Sequence, residues 1–334
     1  MKILPSFILV SLLAASAFAA VEYFHLHFVF GVVIPYAAFL VFVGGFAARV
    51  LSWARSPVPF NIATTSGQQR SLGWIKPARF ENPSTTFGVI GRIFMEVVFF
   101  RSLFRNTRSG LFETADGSFR PGYAPEKSLW LAGLMFHWSF LYVLVRHLRF
   151  FLYPVPGVIL SLEKFDAMFQ IGLPVFYLTD AILLLSVTFL FLRRVLIPQV
   201  RYISLIADFV PLFVILGIAI SGVVMRYVTR IDVVGVKQLA LGLVGFAPVL
   251  PESVSSIFYV HFFLVSFLFM YFPFSKLMHM GGVFFSPTRN LKGDSRHRRH
   301  VNPWNHAVEV HSYEEYEDEY REVMKGAGLP VDKQ

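Results

Sequence analysis

The amino-acid sequence predicts an all-α protein: a multi-span membrane helical bundle of six spans, or five if the N-terminal hydrophobic segment is cleaved. Three observations carry that prediction. Of 334 residues 55% are hydrophobic, 38 of them phenylalanine, and the mean hydropathy is +0.58, far from a soluble globule. The apolar residues fall in separate runs of about 20, the length that crosses a hydrocarbon layer roughly 30 Å thick. The net charge of +9 collects in particular loops between those runs, as basic residues do on the inner side of membrane proteins. The positive charge is therefore assigned to topology, and nucleic acid is left without a role. The chain has no cysteine, so it can build neither a disulfide nor a thiolate-bound iron–sulfur cluster.

Residues 1–52 hold two apolar runs. The first, 3–21, follows Lys2 and ends in Ala17-Phe18-Ala19-Ala20, a pattern shared by cleaved signal peptides and retained first spans. Either way the chain reaches Glu22 on the outer side. The second run, 28–51, closes on Arg49 and Arg55. The insertion 53–128 carries ten Lys and Arg against five Asp and Glu, which places it in the cytoplasm. Within it, 87–105 is apolar with interspersed charge: Arg92 and Glu96 share one helix edge, and Arg101 and Arg105 lie near the opposite one. A helix packed on a partner subunit, or two short pieces, fits that pattern better than a simple surface-lying amphipathic helix.

The core, 129–285, contains four runs, at 129–152, 172–192, 205–228 and 255–280. Arg193, Arg194 and Arg201 make the loop after the second of these cytoplasmic, whereas the loops 153–170 and 229–252 balance their charges and are external. The tail, 286–334, begins with Arg289, Lys292, Arg296, Arg298 and Arg299, which places the C-terminus inside. An acidic run from Glu314 to Glu319 follows and reads as a solvated helix or a disordered tail. His25, His27, His297, His300, His306 and His311 read as interfacial or surface residues.

Four other histidines stand inside the runs: His137 and His147 in the first core span, His261 and His279 in the last. An imidazole in a membrane span is costly and signals function. The spacings correspond to about 15 and 27 Å along a helix, so each span places one ring near each membrane surface. Two intervening spans make the histidine helices antiparallel. His137 then faces His279 near the inner surface, and His147 faces His261 near the outer one. Each pair supplies two axial ligands to one haem iron, with the irons about 20 Å apart. No Cys-x-x-Cys-His occurs, so these are two non-covalent, b-type haems. Arg146 and Arg149 bracket His147 against the positive-inside trend; their planar forks suit haem propionates or, equally, lipid phosphate. Two other readings stay open: a proton-coupled transporter using the histidines as a relay, and imidazoles that merely hydrogen-bond helix to helix.

With these spacings the chain resembles the gamma subunit of respiratory nitrate reductases, a dihaem cytochrome b with five spans, over residues 28–285. The resemblance implies His137 and His279 as ligands of the inner haem and His147 and His261 of the outer one. The insertion sharpens it: Pro57-Val58-Pro59-Phe60, Thr64-Thr65-Ser66-Gly67-Gln68-Gln69 and Phe100-Arg101-Ser102-Leu103-Phe104-Arg105 resemble the membrane M subunit of the sulfite-reduction-associated Dsr transmembrane complex. That family implies menaquinol as electron partner and a cytoplasmic heterodisulfide-reductase-like iron–sulfur subunit. It also implies a second membrane subunit, a periplasmic multihaem cytochrome c and a periplasmic iron–sulfur protein. The expected role is the quinone-reactive haem subunit of an oxidoreductase of the cytoplasmic membrane, linked to dissimilatory sulfite reduction. Lys164, in the external loop after His147, is expected at the quinone site, because the nitrate reductase gamma subunit resembles this arrangement with a lysine near its outer haem. The alternative for Lys164 is a solvent-exposed pair with Glu163 or Asp166.

Overall fold

The computed structural model of the chain describes residues 2–56, 67–167, 176–296, 298 and 310–333. Helix α1 (Ile3–Glu22) buries Ser6, Val10, Ala17 and Val21, one narrow stripe of small side chains that admits close neighbours. A π-helical turn, Val29–Val33, leads into α2 (Ile34–Ala54), and Pro35, which offers no N–H, stands at their junction. Tyr36 donates its hydroxyl to the Leu243 carbonyl at 2.8 Å and so ties α2 to a later helix.

The insertion contains α3 (Thr86–Phe99), started by Thr85, whose hydroxyl accepts from Gly88 N, and stopped by Phe100 in the left-handed region at φ 51°. A short turn, Arg101–Phe104, follows, so the 87–105 stretch is two pieces. A hairpin then departs from the all-α expectation: β1 (Thr107–Glu113) pairs antiparallel with β2 (Phe119–Pro125), Gly110 opposite Gly122. Its turn uses Gly117 at φ 77°, the conformation glycine adopts without strain. The Asp116 carboxyl is held down to about 2 by hydrogen bonds from Thr114 and Ser118.

The core begins with α4 (Lys127–His147), continued by a 3-10 turn, and α5 (Gly157–Asp166) in the loop beyond it. Next come α6 (Leu178–Leu196) and α7 (Ile206–Val224), which runs into a π-helical turn, Met225–Thr229. Asp208 caps α7 by accepting from Leu205 N at 2.9 Å and also meets Lys276 Nζ at 2.7 Å. Helix α8 (Val233–Val244) lies in the following loop.

The last run is not one helix. α9 (Ser256–Tyr271) gives way to the turn Phe272–Phe274, and after Ser275 and a second 3-10 turn α10 (His279–Phe285) begins. Pro273 is the reason, since it offers no N–H and its ring crowds the preceding turn. His261 and His279 therefore stand on two separate helices and not on one straight one. In the tail, α11 (Tyr313–Gly326) starts with a capping box between Ser312 and Glu315.

Among the described residues, five helical stretches are long and apolar enough to cross a membrane: Ile3–Glu22, Val29–Ala54, Lys127–Phe150, Ile206–Thr229 and Ser256–Phe274. They define a multi-pass membrane protein. α6 also packs within the bundle, against α4 and α7, but Asp180, Arg193 and Arg194 shorten its apolar length. α7 and α9 pack on each other and on α1, and α9 packs on α2. Val21, Val187, Val214, Tyr259 and Leu264 form the centre of this core. The two histidine-bearing helices, α4 and α9, do not pack side by side; they approach through their side chains.

Candidate functional site

The site grows from four imidazoles. His137 and His147 project from α4, His261 from α9, and His279 from the first position of α10. The His137 and His279 ring centres are 5.9 Å apart, and those of His147 and His261 are 6.5 Å apart. Only an antiparallel arrangement of α4 and the α9–α10 run allows that pairing.

Each ring is oriented by its other nitrogen. Nδ1 of His137 lies 2.7 Å from the Gly133 carbonyl, Nδ1 of His147 2.7 Å from that of Val143, and Nδ1 of His279 2.8 Å from that of Lys276. A carbonyl only accepts, so each Nδ1 carries the proton. His261 reaches the same state through a side chain. Ser221 Oγ gives its proton to helix carbonyls, Gly217 O at 2.7 Å, and so accepts from His261 Nδ1 at 2.9 Å. In the neutral ring that leaves each Nε2 with its lone pair, which is how metal-bound imidazoles are held.

Two metal–nitrogen bonds of about 2 Å with a ring on either side put imidazole centres about 6 Å apart, and both pairs match. Among the described residues no group of three or more His, Cys, Asp or Glu could hold a metal ion. Two imidazoles alone suit an iron whose remaining ligands come from a macrocycle. The residues present fit haem. Gly222 lies against the His261 ring, where a Cβ would come within 3.4 Å of Cε1. Phe100 and Phe136 set their edges or faces against His137, both at 4.9 Å.

Beyond His147 lies a buried ionic cluster. Arg146 spans Asp166 and Asp180, the latter at 2.8 Å, and its guanidinium lies 3.9 Å from the Tyr177 ring. Asp166 also accepts from Thr179 N at 2.9 Å, so it joins the loop to the first turn of α6. Arg149 pairs with Glu163, which accepts from the Tyr177 hydroxyl at 2.7 Å. Burial alone would raise the Glu163 carboxyl, but the bonds from Arg149 and Tyr177 outweigh it and hold the group below its ordinary value. Both arginines read as propionate partners thus meet carboxylates of the chain itself. Desolvation favours this, because burying a guanidinium is costly unless a carboxylate meets it. Lys164 is exposed and makes no pair with Glu163 or Asp166, which are taken by Arg149 and Arg146.

Arg226, which no sequence motif singles out, lies in the π-helical turn after α7. Its guanidinium covers the other face of Tyr177 at 3.7 Å, and its Nε is buried without a hydrogen-bond partner among the described residues. An arginine inside the 205–228 run was the available signal. Ser221, placed by α7 beneath His261, left no such mark. His25 and His27 stack on each other at 6.2 Å, and His27 meets Tyr259 at 5.2 Å. His311 is exposed, 3.9 Å from Glu315. His297, His300 and His306 lie outside the described residues, as do Pro57-Val58-Pro59-Phe60 and Thr64-Thr65-Ser66.

A multi-span helical bundle holding two facing imidazole pairs is the architecture of a membrane cytochrome b. The chain belongs to the nitrate reductase gamma subunit family, whose model matches residues 84–295. It is similar to the "Hdr-like menaquinol oxidoreductase cytochrome b-like subunit" of Archaeoglobus fulgidus, 45% identical over 286 residues covering 84% of each chain. A protein of the same description from Archaeoglobus profundus is 40% identical over 278 residues, 81% of each.

Proposed function

We propose that this chain is the quinone-reactive subunit of a multi-subunit membrane oxidoreductase and binds two b-type haems. His137 and His279 would ligate the one nearer the cytoplasm, His147 and His261 the one nearer the outside. The observation that carries the reading is that all four Nδ1 atoms are committed, three to carbonyls and one to Ser221, with the rings paired near 6 Å. When bound, haem supplies one-electron chemistry at iron. The chain's residues fix the ring planes and tautomers, keep water out with Phe100 and Phe136, and supply the charge around the outer pair. Arg226, rather than Arg146 or Arg149, would meet a carboxylate of the outer haem.

The relatives' description, with the resemblance to the Dsr membrane subunit, supports menaquinol as the reductant. Its oxidation to menaquinone releases two electrons and two protons, the protons on the outer side, where exposed Lys164 would hydrogen-bond a quinone oxygen. The electrons would pass to a cytoplasmic heterodisulfide-reductase-like iron–sulfur subunit, docked on the insertion beside the inner pair. A second membrane subunit, a periplasmic multihaem cytochrome c, a periplasmic iron–sulfur protein and a link to sulfite reduction complete the reading. It comprises six spans in the cytoplasmic membrane, α6 included, with the C-terminus inside.

The decisive experiment is the reduced-minus-oxidised spectrum of the purified chain and its variants. His137→Ala or His279→Ala should remove one haem, and His147→Ala or His261→Ala the other. A chain without a haem spectrum would overturn the reading and restore the transporter. Lys164→Ala should leave both spectra intact and slow haem reduction by a menaquinol analogue; unchanged kinetics would remove Lys164 from the site.

A further inference from the structure

Helix α3 is amphipathic the wrong way round for a helix in water. Phe87, Ile90, Phe94 and Val97 are 88, 58, 56 and 38% exposed and recur at helical spacing along one face. Its charged residues point inward. Arg92 is buried and donates to the backbone carbonyls of Glu81, Arg289 and Leu291, while the Glu96 carboxylate takes Ser102 and Arg289. A solvated surface helix shows the opposite pattern, with polar groups outward and apolar ones inward.

The depth of its C-terminal end gives a second, independent observation. Two indoles of α4 donate to the last carbonyls of α3: Trp130 Nε1 to Phe99 O at 2.8 Å and Trp138 Nε1 to Val98 O at 3.0 Å. These anchors bracket a point about two turns, or about 10 Å, along α4 from Lys127. The stretch Lys127–Phe150 has 24 residues, about 36 Å of helix against roughly 30 Å of hydrocarbon. That point therefore lies within the apolar layer. A helix ending there exposes carbonyls that water cannot reach, and protein donors must satisfy them. The two indoles do so.

We propose that α3 is a re-entrant helix set into the leaflet that contains the His137–His279 pair, with its Phe87–Ile90–Phe94–Val97 face against lipid acyl chains. The face continues the exposed apolar surface of α4 at Leu131, Trp138 and Leu141, so the occupant is the lipid that already covers that span. The insertion is then not wholly in the cytoplasm, and the partner subunit is left the remainder of it.

Because the chain has no cysteine, single spin labels test this directly. Ile90→Cys and Phe94→Cys would be labelled in the purified full chain, which is then returned to its co-purifying subunits in liposomes, beside Leu141→Cys on α4 and Tyr123→Cys on the hairpin. The collision rates with oxygen and with a water-soluble nickel chelate would then be compared. Both α3 labels should favour oxygen as Leu141→Cys does, by an order of magnitude over Tyr123→Cys. A nickel preference like that of Tyr123→Cys would put the face in water and overturn the proposal. Protection from both reagents would overturn it in favour of a protein partner. Val97→Cys provides the same readout should either α3 variant fail to assemble.

Discussion

At the scale of single residues, the outer-end cluster shows how charge is tolerated inside the bundle. Arg146, Asp166 and Asp180 satisfy one another, with Tyr177 stacked between two guanidiniums. Removing one member leaves a buried charge without its partner. Asp166→Ala should destabilise the chain by about 3 kcal/mol, the lower end of such losses because Asp180 still holds Arg146. Thermal unfolding in detergent measures it, and a double-mutant cycle with Arg146→Met should return much of the loss. Arg226 is the contrasting case, a guanidinium whose buried Nε has no hydrogen-bond partner among the described residues. Arg226→Gln should leave fold and haem content intact but lower the midpoint potential of one haem, since a nearby positive charge favours the reduced iron. An unshifted redox titration would detach Arg226 from the site.

At the scale of elements, the break at Pro273 does what a straight helix cannot. It starts α10 at His279 and turns that ring toward His137 without requiring both ligands on one helical face. Pro273→Ala should favour a continuous helix and loosen the inner pair while sparing the outer one, seen as selective loss of one haem signal. The C-terminal helix α11 is tied to the chain end through Glu317. The Glu317 carboxylate is desolvated, which opposes ionisation, but it accepts from the Asp332 and Lys333 amides and from Arg321, and these hold it below the ordinary value of 4.5. Its contribution is present above that value and is lost as the pH falls through the lower, folded one. Amide exchange at Asp332 and Lys333 should therefore accelerate under acid at pH values where the bundle is unaffected.

At the scale of the whole molecule, α4 and α9 do not pack side by side, so a haem bound between them would couple cofactor to fold. A ligand that binds only the folded chain stabilises it by about 2.7 kcal/mol at a hundredfold excess over its Kd. Chain produced under haem limitation should accordingly melt at lower temperature and recover on adding haem. A melting temperature independent of haem content would mean that α4 and α9 are held apart by the other helices alone.

Much of this was legible in the residues themselves. Apolar length, loop charge and four histidines in two runs determined the bundle, the antiparallel sense of the histidine helices and which imidazoles face which, because these follow from hydrophobic transfer and helical rise. The hairpin was in principle readable from Asp116-Gly117. Others were not. Which carboxylates of its own chain an arginine meets depends on which loop folds over it, so neither the ion pairs of Arg146 and Arg149 nor the unpartnered Nε of Arg226 among the described residues follows from local sequence. The hydroxyl that orients His261 belongs to Ser221, 40 residues away, and no local pattern links them. The direction faced by α3 was likewise settled only by packing, since its apolar stripe is the same string of residues whether it meets a protein core or lipid. Sequence determines which groups must leave water; the tertiary structure decides what they meet when they do.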